Sequence, residues 1–316
     1  MENIPTLEDI QNAHQRIRPF IHHTPVMSSS LINELAGCSI YFKCENFQKT
    51  GAFKMRGAHN AVLSLPSTKI SRGVATHSSG NHAQALAKAA ANIGCMAYIV
   101  MPESAPEVKV NAVKDYGAEI FFCAPTLQAR EQTLLSVLKD TGATLIHPYD
   151  DYDIIAGQAT VALELIEEIS DLNILITPVG GGGLLSGTCL AGSYLLPQAV
   201  LIGGEPEGAD DAFRSLQSGI IHPSIDPQTI ADGLLTSLSE RTFGIIKKHV
   251  KEIVTVSDQG ILKAMRLVWE RMKILIEPSA AVPLAAVFTK PEVFRGKRVG
   301  LILTGGNVDL EKISFV

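Results

Sequence analysis

The sequence lacks any apolar run of the roughly 18 residues that a membrane-spanning helix requires. Its first residues, MENIPTLEDI, contain no basic stretch followed by an apolar block, so a secretory signal is not expected there. The cysteines are few, odd in number and without a CxxC pair: Cys38, Cys44, Cys95, Cys123 and Cys189. This spacing argues against a zinc site or a disulfide framework and favours reduced thiols. We therefore expect a cytoplasmic protein.

The sequence also lacks an excess of positive charge. Its 27 lysines and arginines stand against 32 acidic residues, a formal net charge of −5, so a basic nucleic-acid-binding surface is not expected. Hydrophobic residues make up 46% and charged residues 19% of the 316 residues, which excludes a disordered chain. At about 150 residues per domain, this length predicts two domains or one large α/β unit.

Short apolar runs alternate with longer helical stretches, as is typical of α/β proteins. The first series of expected strands is GVATHS, CMAYIVMP, AEIFFCA and ATLIHPYD, and the second is NILITPV, VLIGGEP and RVGLILTGG. These runs do not alternate with polar residues, which predicts parallel strands covered on both faces. The rhythm predicts a small domain over residues 73–147 and a large domain from residues 1–72 and 148–316. The cleft between them is the expected site.

A glycine cluster follows the apolar run ILITPV: Gly180, Gly181, Gly182 and Gly183. Successive glycines let backbone N–H groups converge on an anion, and the helix expected from Leu184 adds its positive N-terminal end. A P-loop would need Lys-Ser/Thr where Leu184-Leu185 stand, and the dinucleotide fingerprint would need a small residue where its register gives Leu185 or Ser186. The cluster therefore indicates a different phosphate site, with a tight strand-to-helix turn as the alternative.

The segment KTGAFKMRGAHN places Lys54 between Phe53 and Met55, with Lys49 and Arg56 nearby. Apolar or cationic neighbours lower the pKa of a lysine, which makes its amine available for a Schiff base. These residues alone favour the simpler alternative, an exposed lysine at the start of a helix.

The segment HSSGNHAQALAKAA suggests a strand-to-helix junction at residues 78–82. Backbone N–H groups at such a junction can hold a substrate carboxylate, and Asn81 can donate to a phenolic or carbonyl oxygen. Serine and asparagine are also preferred helix caps, so an ordinary N-cap is equally open. No GxSxG segment occurs, which argues against a serine hydrolase.

Two further segments carry polar groups just after expected strands. EPEGADD places Glu205 and Asp211 six residues apart, and their oxygens suit Mg²⁺ or Ca²⁺, although composition alone favours an acidic solvated loop. LTGGNVD places Thr304 after the last strand, where its hydroxyl either points into a cleft or begins a turn.

Together, GAFKMRG, SSGNHAQA, the tetraglycine loop and TGGN strongly resemble the pyridoxal-phosphate enzymes of the tryptophan-synthase β fold, fold type II. The closer likeness is to serine racemases, serine/threonine dehydratases and threo-3-hydroxyaspartate ammonia-lyases. It extends over nearly the whole chain, including IAGQAT, TIADGL and LVWERMKILIEPSAAV. The resemblance implies an α/β protein with two open, twisted, mostly parallel sheets flanked by helices, and pyridoxal 5'-phosphate (PLP) in the interdomain cleft.

The resemblance assigns Lys54 to the cofactor aldehyde, Phe53 to packing near the ring and Asn81 to the ring's 3-oxygen. It assigns Gly180–Gly183 to the phosphate. Thr304 matches the position whose hydroxyl meets the pyridine nitrogen. Because a neutral partner leaves that nitrogen less protonated than a carboxylate would, we expect the ring to be a weaker electron sink and β-elimination to compete well with a long-lived quinonoid.

Ser79 matches the serine that distinguishes racemase-like members, where common threonine dehydratases have alanine. Inversion at Cα requires an acid/base group on each face, which implies Lys54 on one face and Ser79 on the other. The positions similar to a substrate site are Ser78, Ser79, Gly80, Asn81, His82 and Arg130. From the residues alone, Arg130 is equally a plain surface arginine on a helix.

By the same likeness, Glu205, the Ala209 carbonyl and Asp211 match a divalent-cation site for Mg²⁺, Ca²⁺ or Mn²⁺, in place of the solvated loop. The positions similar to an ATP effector site near the racemase dimer interface are Ser29, Ser30, Lys49, Thr50, Gln84, Tyr116, Lys273 and Asn307. Tyr149 departs from the asparagine of the mammalian racemase. The resemblance thus implies a homodimer with a small-molecule amino-acid substrate.

We therefore expect a PLP-dependent dehydratase (ammonia-lyase) and racemase that acts on serine or a related β-hydroxy amino acid. Within the family, the alternative is a threo-3-hydroxyaspartate ammonia-lyase with little serine activity. From other classes, the alternatives are a nucleotide-dependent protein with Glu205 on a ribose, which the glycine register opposes, and a non-catalytic amino-acid-binding protein.

Overall fold

The computed structural model describes residues 3–105, 107–310, 313 and 315. Within these ranges no helix combines the length and apolar character needed to cross a membrane. The strands of the described residues are β1 Val26–Met27, β2 Ser39–Cys44, β3 Val74–His77, β4 Ala97–Pro102, β5 Glu119–Cys123, β6 Thr144–Leu145, β7 Ile174–Pro178, β8 Val200–Pro206, β9 Val250–Val256 and β10 Arg298–Leu303.

Helices connect and cover these strands. The α-helices of the described residues are α1 Leu7–Ile17, α2 Ser30–Ala36, α3 Lys54–Leu63, α4 Ser67–Ile70, α5 Asn81–Asn92, α6 Glu107–Asp115, α7 Leu127–Thr141, α8 Tyr152–Glu168, α9 Gly183–Leu195, α10 Asp211–Ser218, α11 Glu240–His249, α12 Asp258–Met272, α13 Pro278–Thr289 and α14 Pro291–Phe294. Short 3₁₀ turns occur at Glu45–Phe47, Lys49–Gly51, Glu207–Ala209 and Asp232–Leu234.

The larger sheet has the strand order β1-β2-β10-β7-β8-β9. All its pairs are parallel except β1 with β2. Every residue of β7 is buried, which explains its continuous apolar sequence ILITP, because helices cover both faces of a parallel sheet. The sequence-based prediction of strands at NILITPV, VLIGGEP and RVGLILTGG is confirmed.

The smaller sheet has the order β5-β4-β3-β6, and all its pairs are parallel. Its strands lie between residues 74 and 145, inside the segment predicted as the small domain. The predicted fold class, two mostly parallel sheets flanked by helices, is confirmed. The carboxyl ends of β3, β7, β8 and β10 each lead directly into a segment that carries predicted site residues.

Helix α3 packs against the core beside the smaller sheet on one face and against α8 on another. Met55, Ala58 and Val62 are buried in the core cluster that contains Val74 of the smaller sheet. On another face, α3 meets α8 closely at Gly57, where an added Cβ would lie only 2.3 Å from the side-chain nitrogen of Gln158. The position of α3, and of Lys54 at its first residue, is therefore fixed from both sides.

A network of buried charges holds α3 in place. The Arg56 guanidinium donates to both carboxylate oxygens of Glu45, each at 2.8 Å, and to both of Glu164, each at 2.7 Å. Lys43 adds an ion pair with Glu164 at 2.7 Å and donates to the Thr24 carbonyl at 2.6 Å. All four charged side chains are at most 1% exposed, and the two positive charges balance the two negative ones. Such a balanced set is stable in the interior only while every member is present.

We expect Arg56→Ala to lower the free energy of unfolding by about 3–5 kcal/mol, because it leaves two carboxylates buried beside a single lysine. Chemical denaturation followed by far-ultraviolet circular dichroism measures this change. The matched control is Glu270→Ala, which removes an exposed carboxylate paired with Arg266 at 2.7 Å. Exposed pairs add little stability, so a loss in the control comparable to that of Arg56→Ala would contradict the account.

Candidate active site

Lys54 lies at the start of α3 and is partly buried. Its Nζ donates to the carbonyl oxygen of Pro148 at 2.8 Å and lies 5.2 Å from the centroid of the Phe53 ring. Burial lowers the pKa of the Lys54 amine to about 8. The interpretation of an exposed helix-surface lysine is therefore wrong, because a separate segment of the chain encloses this amine.

Thr304 lies beside the start of α3, directly after β10. The Phe53 amide donates to the Thr304 carbonyl at 3.0 Å, and Ala52 forms an antiparallel bridge with Gly305. The Thr304 side chain is buried, at 3% exposure, and within the described ranges its hydroxyl has no hydrogen-bond partner. A buried hydroxyl without a partner costs free energy, so a ligand at this position would stabilise it.

The tetraglycine loop connects β7 to α9. Among the residues that the structure describes, no group accepts a hydrogen bond from the buried amides of Gly180, Gly181 or Gly182. Gly182 is the N-cap of α9 and has φ 86°, and no side chain caps this helix. Open amides at a helix N-terminus form an anion site.

Each glycine of this loop is also required by its neighbours. An added Cβ would lie 2.9 Å from the Leu234 backbone at Gly180 and 2.7 Å from the Leu238 side chain at Gly182. At Gly181 it would lie 2.3 Å from the Tyr149 ring. A tight turn alone does not require glycine at all these positions, because a turn needs a glycine only where φ is positive.

The junction between β3 and α5 contains Ser78, Ser79 and Gly80. Gly80 is the N-cap of α5, and no side chain caps the helix. The alternative of an ordinary serine or asparagine N-cap is therefore wrong. The Ser78 hydroxyl instead accepts a hydrogen bond from the Gly80 amide at 3.3 Å.

Asn81 is the first residue of α5, and its side chain lies in a hydrogen-bond chain. Its Nδ2 donates to both carboxylate oxygens of Glu277, at 3.0 and 3.1 Å. Its Oδ1 accepts from Asn307 at 2.8 Å, and Asn307 also donates to the Thr50 carbonyl at 2.7 Å. Burial raises the pKa of Glu277 to about 7. Sequence analysis missed Glu277, although an acidic residue between apolar ILI and a helix-starting proline was a signal.

Two histidines near Lys54 are held neutral by burial. Burial lowers the pKa of His82 to about 3, and its Nδ1 has no partner in the described residues, while Nε2 lies 3.1 Å from the Ile146 carbonyl. Burial lowers the pKa of His147 to about 4, and its Nδ1 accepts from the Tyr149 and Asp150 amides. These two rings therefore lie near Lys54 without adding positive charge at neutral pH.

Arg130 lies on α7 and is half-buried. Its Nε is buried and has no hydrogen-bond partner within the described part of the chain. Burial lowers the pKa of His77, at the end of β3, and the Arg130 charge lowers it further. Arg130 is therefore not a fully exposed surface side chain.

Glu205 lies near the end of β8, Ala209 ends the 3₁₀ turn that follows, and Asp211 is the first residue of α10. The Glu205 carboxylate accepts from the Ala212 and Phe213 amides at 2.9 and 2.7 Å. Glu205 and Asp211 are each only 1% exposed, so the solvated-loop alternative is wrong. Oδ2 of Asp211 has no partner among the described residues. Those residues also contain no group of three or more His, Cys, Asp or Glu side chains around one metal position.

The residues similar to a nucleotide site are only partly brought together. Gln84 and Asn307 line one cavity of about 470 Å³, between α6 and the start of α13, and Asn307 also contacts Thr50. The other predicted positions, which do not line this cavity, are Ser29, Ser30, Lys49, Tyr116 and Lys273. Ser29 instead caps α2, and the Lys273 amine donates to the Glu270 carbonyl.

Comparisons with known proteins identify the family. A family model described as "Pyridoxal-phosphate dependent enzyme" matches residues 17–305. The chain is 50% identical over 312 residues to a beta-hydroxyaspartate dehydratase of Paracoccus denitrificans, with 99% of each covered. It is 52% identical over 318 residues to a serine racemase of Dictyostelium discoideum, covering 98% of this chain and 97% of that protein.

A crystal structure of serine racemase from Dictyostelium discoideum matches with a TM-score of 0.94 at 51% identity. The match covers 98% of this chain and 100% of that chain. The resemblance found in the sequence motifs is thereby confirmed, and the chain belongs to the pyridoxal-phosphate-dependent enzymes of fold type II.

Proposed function

We propose that this enzyme is an ammonia-lyase and racemase for serine or another small β-hydroxy amino acid. The observation that carries the proposal is the partly buried Lys54 amine. The unpaired Thr304 hydroxyl and the open amides of Gly180, Gly181 and Gly182 support it. The relatives support the same class of reaction, since one is named for dehydration and another for racemisation.

The residues of the site fit PLP. The amides of Gly180–Gly183 would hold its phosphate, and the Thr304 hydroxyl would meet its ring nitrogen. The Asn81 amide, which donates to Glu277 in this structure, would exchange that partner for the ring oxygen. Phe53 would pack near the ring. When bound, PLP withdraws electrons from the substrate and so makes its Cα proton acidic.

Lys54 is the base that this site supplies. Because burial lowers its pKa to about 8, the amine is readily deprotonated near neutral pH and can both accept and return a proton. In our proposal Lys54 binds the cofactor aldehyde at rest and exchanges the Cα proton of the substrate during turnover. Dehydration requires only this one residue on one face.

Ser79 is the group that we propose for the opposite face. It lies in the uncapped junction before α5, two residues after His77. Its match to the serine of racemase-like enzymes supports an acid/base role for Ser79 on this face. Racemisation would use Lys54 and Ser79 in turn, and the junction amides would hold the substrate carboxylate.

Substrate choice separates the two candidate activities. A 3-hydroxyaspartate carries a second carboxylate, which requires a cation in the pocket, and Arg130 is the residue that we propose for it. The unpaired Nε of Arg130 supports this assignment. A serine-specific site has no such requirement.

We also propose a divalent cation, Mg²⁺ or a similar ion, at Glu205, the Ala209 carbonyl and Asp211. The unpaired Oδ2 of Asp211 supports it, and carboxylate plus carbonyl oxygens are the ligands that such ions prefer.

For the cavity beside Gln84 and Asn307 we propose ATP as an effector. Exposed leucines on α2, Leu31 and Leu35, support a homodimer, which sedimentation would test. The five free, buried cysteines suit a reducing cytoplasm.

The direct test is a steady-state panel of L-serine, D-serine, L-threonine and threo-3-hydroxyaspartate, with ammonia and 2-oxo acid measured as products. We expect turnover of both L-serine and hydroxyaspartate. Turnover of hydroxyaspartate alone would support the narrower ammonia-lyase instead. No turnover of any of these amino acids by the PLP-saturated protein would contradict the proposal.

Repeating the panel with a chelator should lower the activity, because the chelator removes the divalent cation. An activity that the chelator leaves unchanged would contradict the cation site.

Replacement of Ser79 separates the two reactions. We expect Ser79→Ala to lower racemisation of L-serine about 100-fold or more, because one face loses its acid/base group, while L-serine dehydration stays within a few-fold. Chiral chromatography measures the first and 2-oxo acid release measures the second. Equal losses in both reactions would contradict a role for Ser79 on one face only.

The Lys54 pKa sets a pH dependence for cofactor attachment. Only the neutral amine reacts with an aldehyde, so the rate of PLP attachment to the apoprotein should rise with pH and level off above about 8. Stopped-flow absorbance measures the rate, and Lys54→Ala is the control that should show no such phase. A rate that still rises steeply between pH 9 and 10 would contradict the lowered pKa.

A further inference from the structure

Tyr149 lies directly against the tetraglycine loop. The three atoms nearest to a Cβ added at Gly181 are all carbons of the Tyr149 ring, at 2.3, 2.4 and 2.5 Å. At Gly183 the added Cβ would instead meet the Cβ and Cα of Tyr149, at 2.9 and 3.1 Å. The ring therefore contacts the middle of the loop, while the Tyr149 backbone lies beside the first residue of α9.

The segment that carries Tyr149 also contacts Lys54. The carbonyl of the preceding residue, Pro148, accepts the hydrogen bond from the Lys54 amine at 2.8 Å. The segment is held by His147, whose ring accepts from the Tyr149 amide at 3.3 Å and meets the Tyr149 ring edge-on, with centroids 4.6 Å apart. One short stretch of chain thus contacts the reactive amine on one side and the expected phosphate site on the other.

The phenol of Tyr149 is half-buried and neutral. Burial raises its pKa, the charge of Asp150 raises it further, and the nearby Thr236 side chain opposes these effects. A neutral phenol in this position does not repel a phosphate, so the ring can pack beside an anion site. Its contribution is contact area, not charge.

We propose that Tyr149 is a positioning residue. Its ring packs against Gly181 and fixes the position of the loop amides relative to the Lys54 amine. The inference rests on the proposed role of Gly180–Gly183 as the phosphate site. Glycine-rich backbone has many accessible conformations, so amides that must converge on one anion need support from outside the loop. The Tyr149 ring supplies that support, and the same segment sets the distance between the phosphate site and the amine.

The test is a double-mutant cycle on PLP affinity, measured by absorbance titration of the apoproteins. We expect Gly181→Ala to weaken PLP binding at least about 10-fold, because the new methyl group clashes with the Tyr149 ring. Tyr149→Ala should weaken binding by a similar factor, because the loop loses its support. In Tyr149→Ala/Gly181→Ala the added methyl group has space, so the second substitution should cost less than about 2-fold.

Gly183→Ala provides the matched control. Its methyl group meets atoms of Tyr149 that alanine retains, so Tyr149→Ala should not relieve this clash. Tyr149→Phe, which keeps the ring, should restore most of the affinity that Tyr149→Ala loses. Thermal unfolding of every apoprotein accompanies the titrations. If Gly181→Ala fails to fold, recovery of folding in Tyr149→Ala/Gly181→Ala but not in Tyr149→Ala/Gly183→Ala would support the same contact.

Three outcomes would overturn this inference alone, provided that the wild-type protein takes up PLP. They are wild-type affinity in Tyr149→Ala, wild-type affinity in Gly181→Ala, or an equal penalty of Gly181→Ala in both backgrounds. Failure of the wild-type protein to take up PLP would overturn the proposed function, and this inference with it.

Discussion

Arg56 makes paired hydrogen bonds to two buried carboxylates, and this interaction fixes the helix that carries Lys54 two residues earlier. Glu45 precedes that helix and Glu164 lies on α8, so a single guanidinium ties three segments of the chain together. A lysine at the end of a loosely held helix would sample many positions. Here the helix is fixed by charge on one side and by close packing against α8 on another, which keeps the amine within reach of one acceptor.

The parallel sheets explain why the other groups of the site lie where they do. Strands β3, β7 and β10 each end at a segment that carries a predicted site residue, and each segment offers a different chemical group. The junction after β3 offers amides and hydroxyls, the loop after β7 offers bare backbone, and the residue after β10 offers a single hydroxyl. Within the described residues the Thr304 hydroxyl and the amides of Gly180, Gly181 and Gly182 have no partner, so the site contains unpaired buried atoms. Those atoms are the structural sign of a site built around a bound group.

The sequence predicts the fold class, most strands and the motifs, because each of these is a local pattern. It does not predict β9, whose sequence VKEIVTV mixes charged and apolar residues, nor contacts between distant positions. Glu277 and Asn81 are separated by 196 residues, and no local sequence pattern predicts their hydrogen bonds. Burial is also hidden: the local residues alone favoured a surface position for Lys54, and composition favoured one for Glu205. Tertiary packing encloses both side chains. The Tyr149 contact with Gly181 was missed for the same reason.

The central claim is that the amine of Lys54 is the point at which the cofactor is attached. Reduction of the PLP-saturated protein with borohydride, followed by digestion and peptide mass spectrometry, tests it most directly. The account predicts one modified peptide, with the pyridoxyl group on Lys54. Modification at another lysine such as Lys49, or no modified peptide at all, would contradict it.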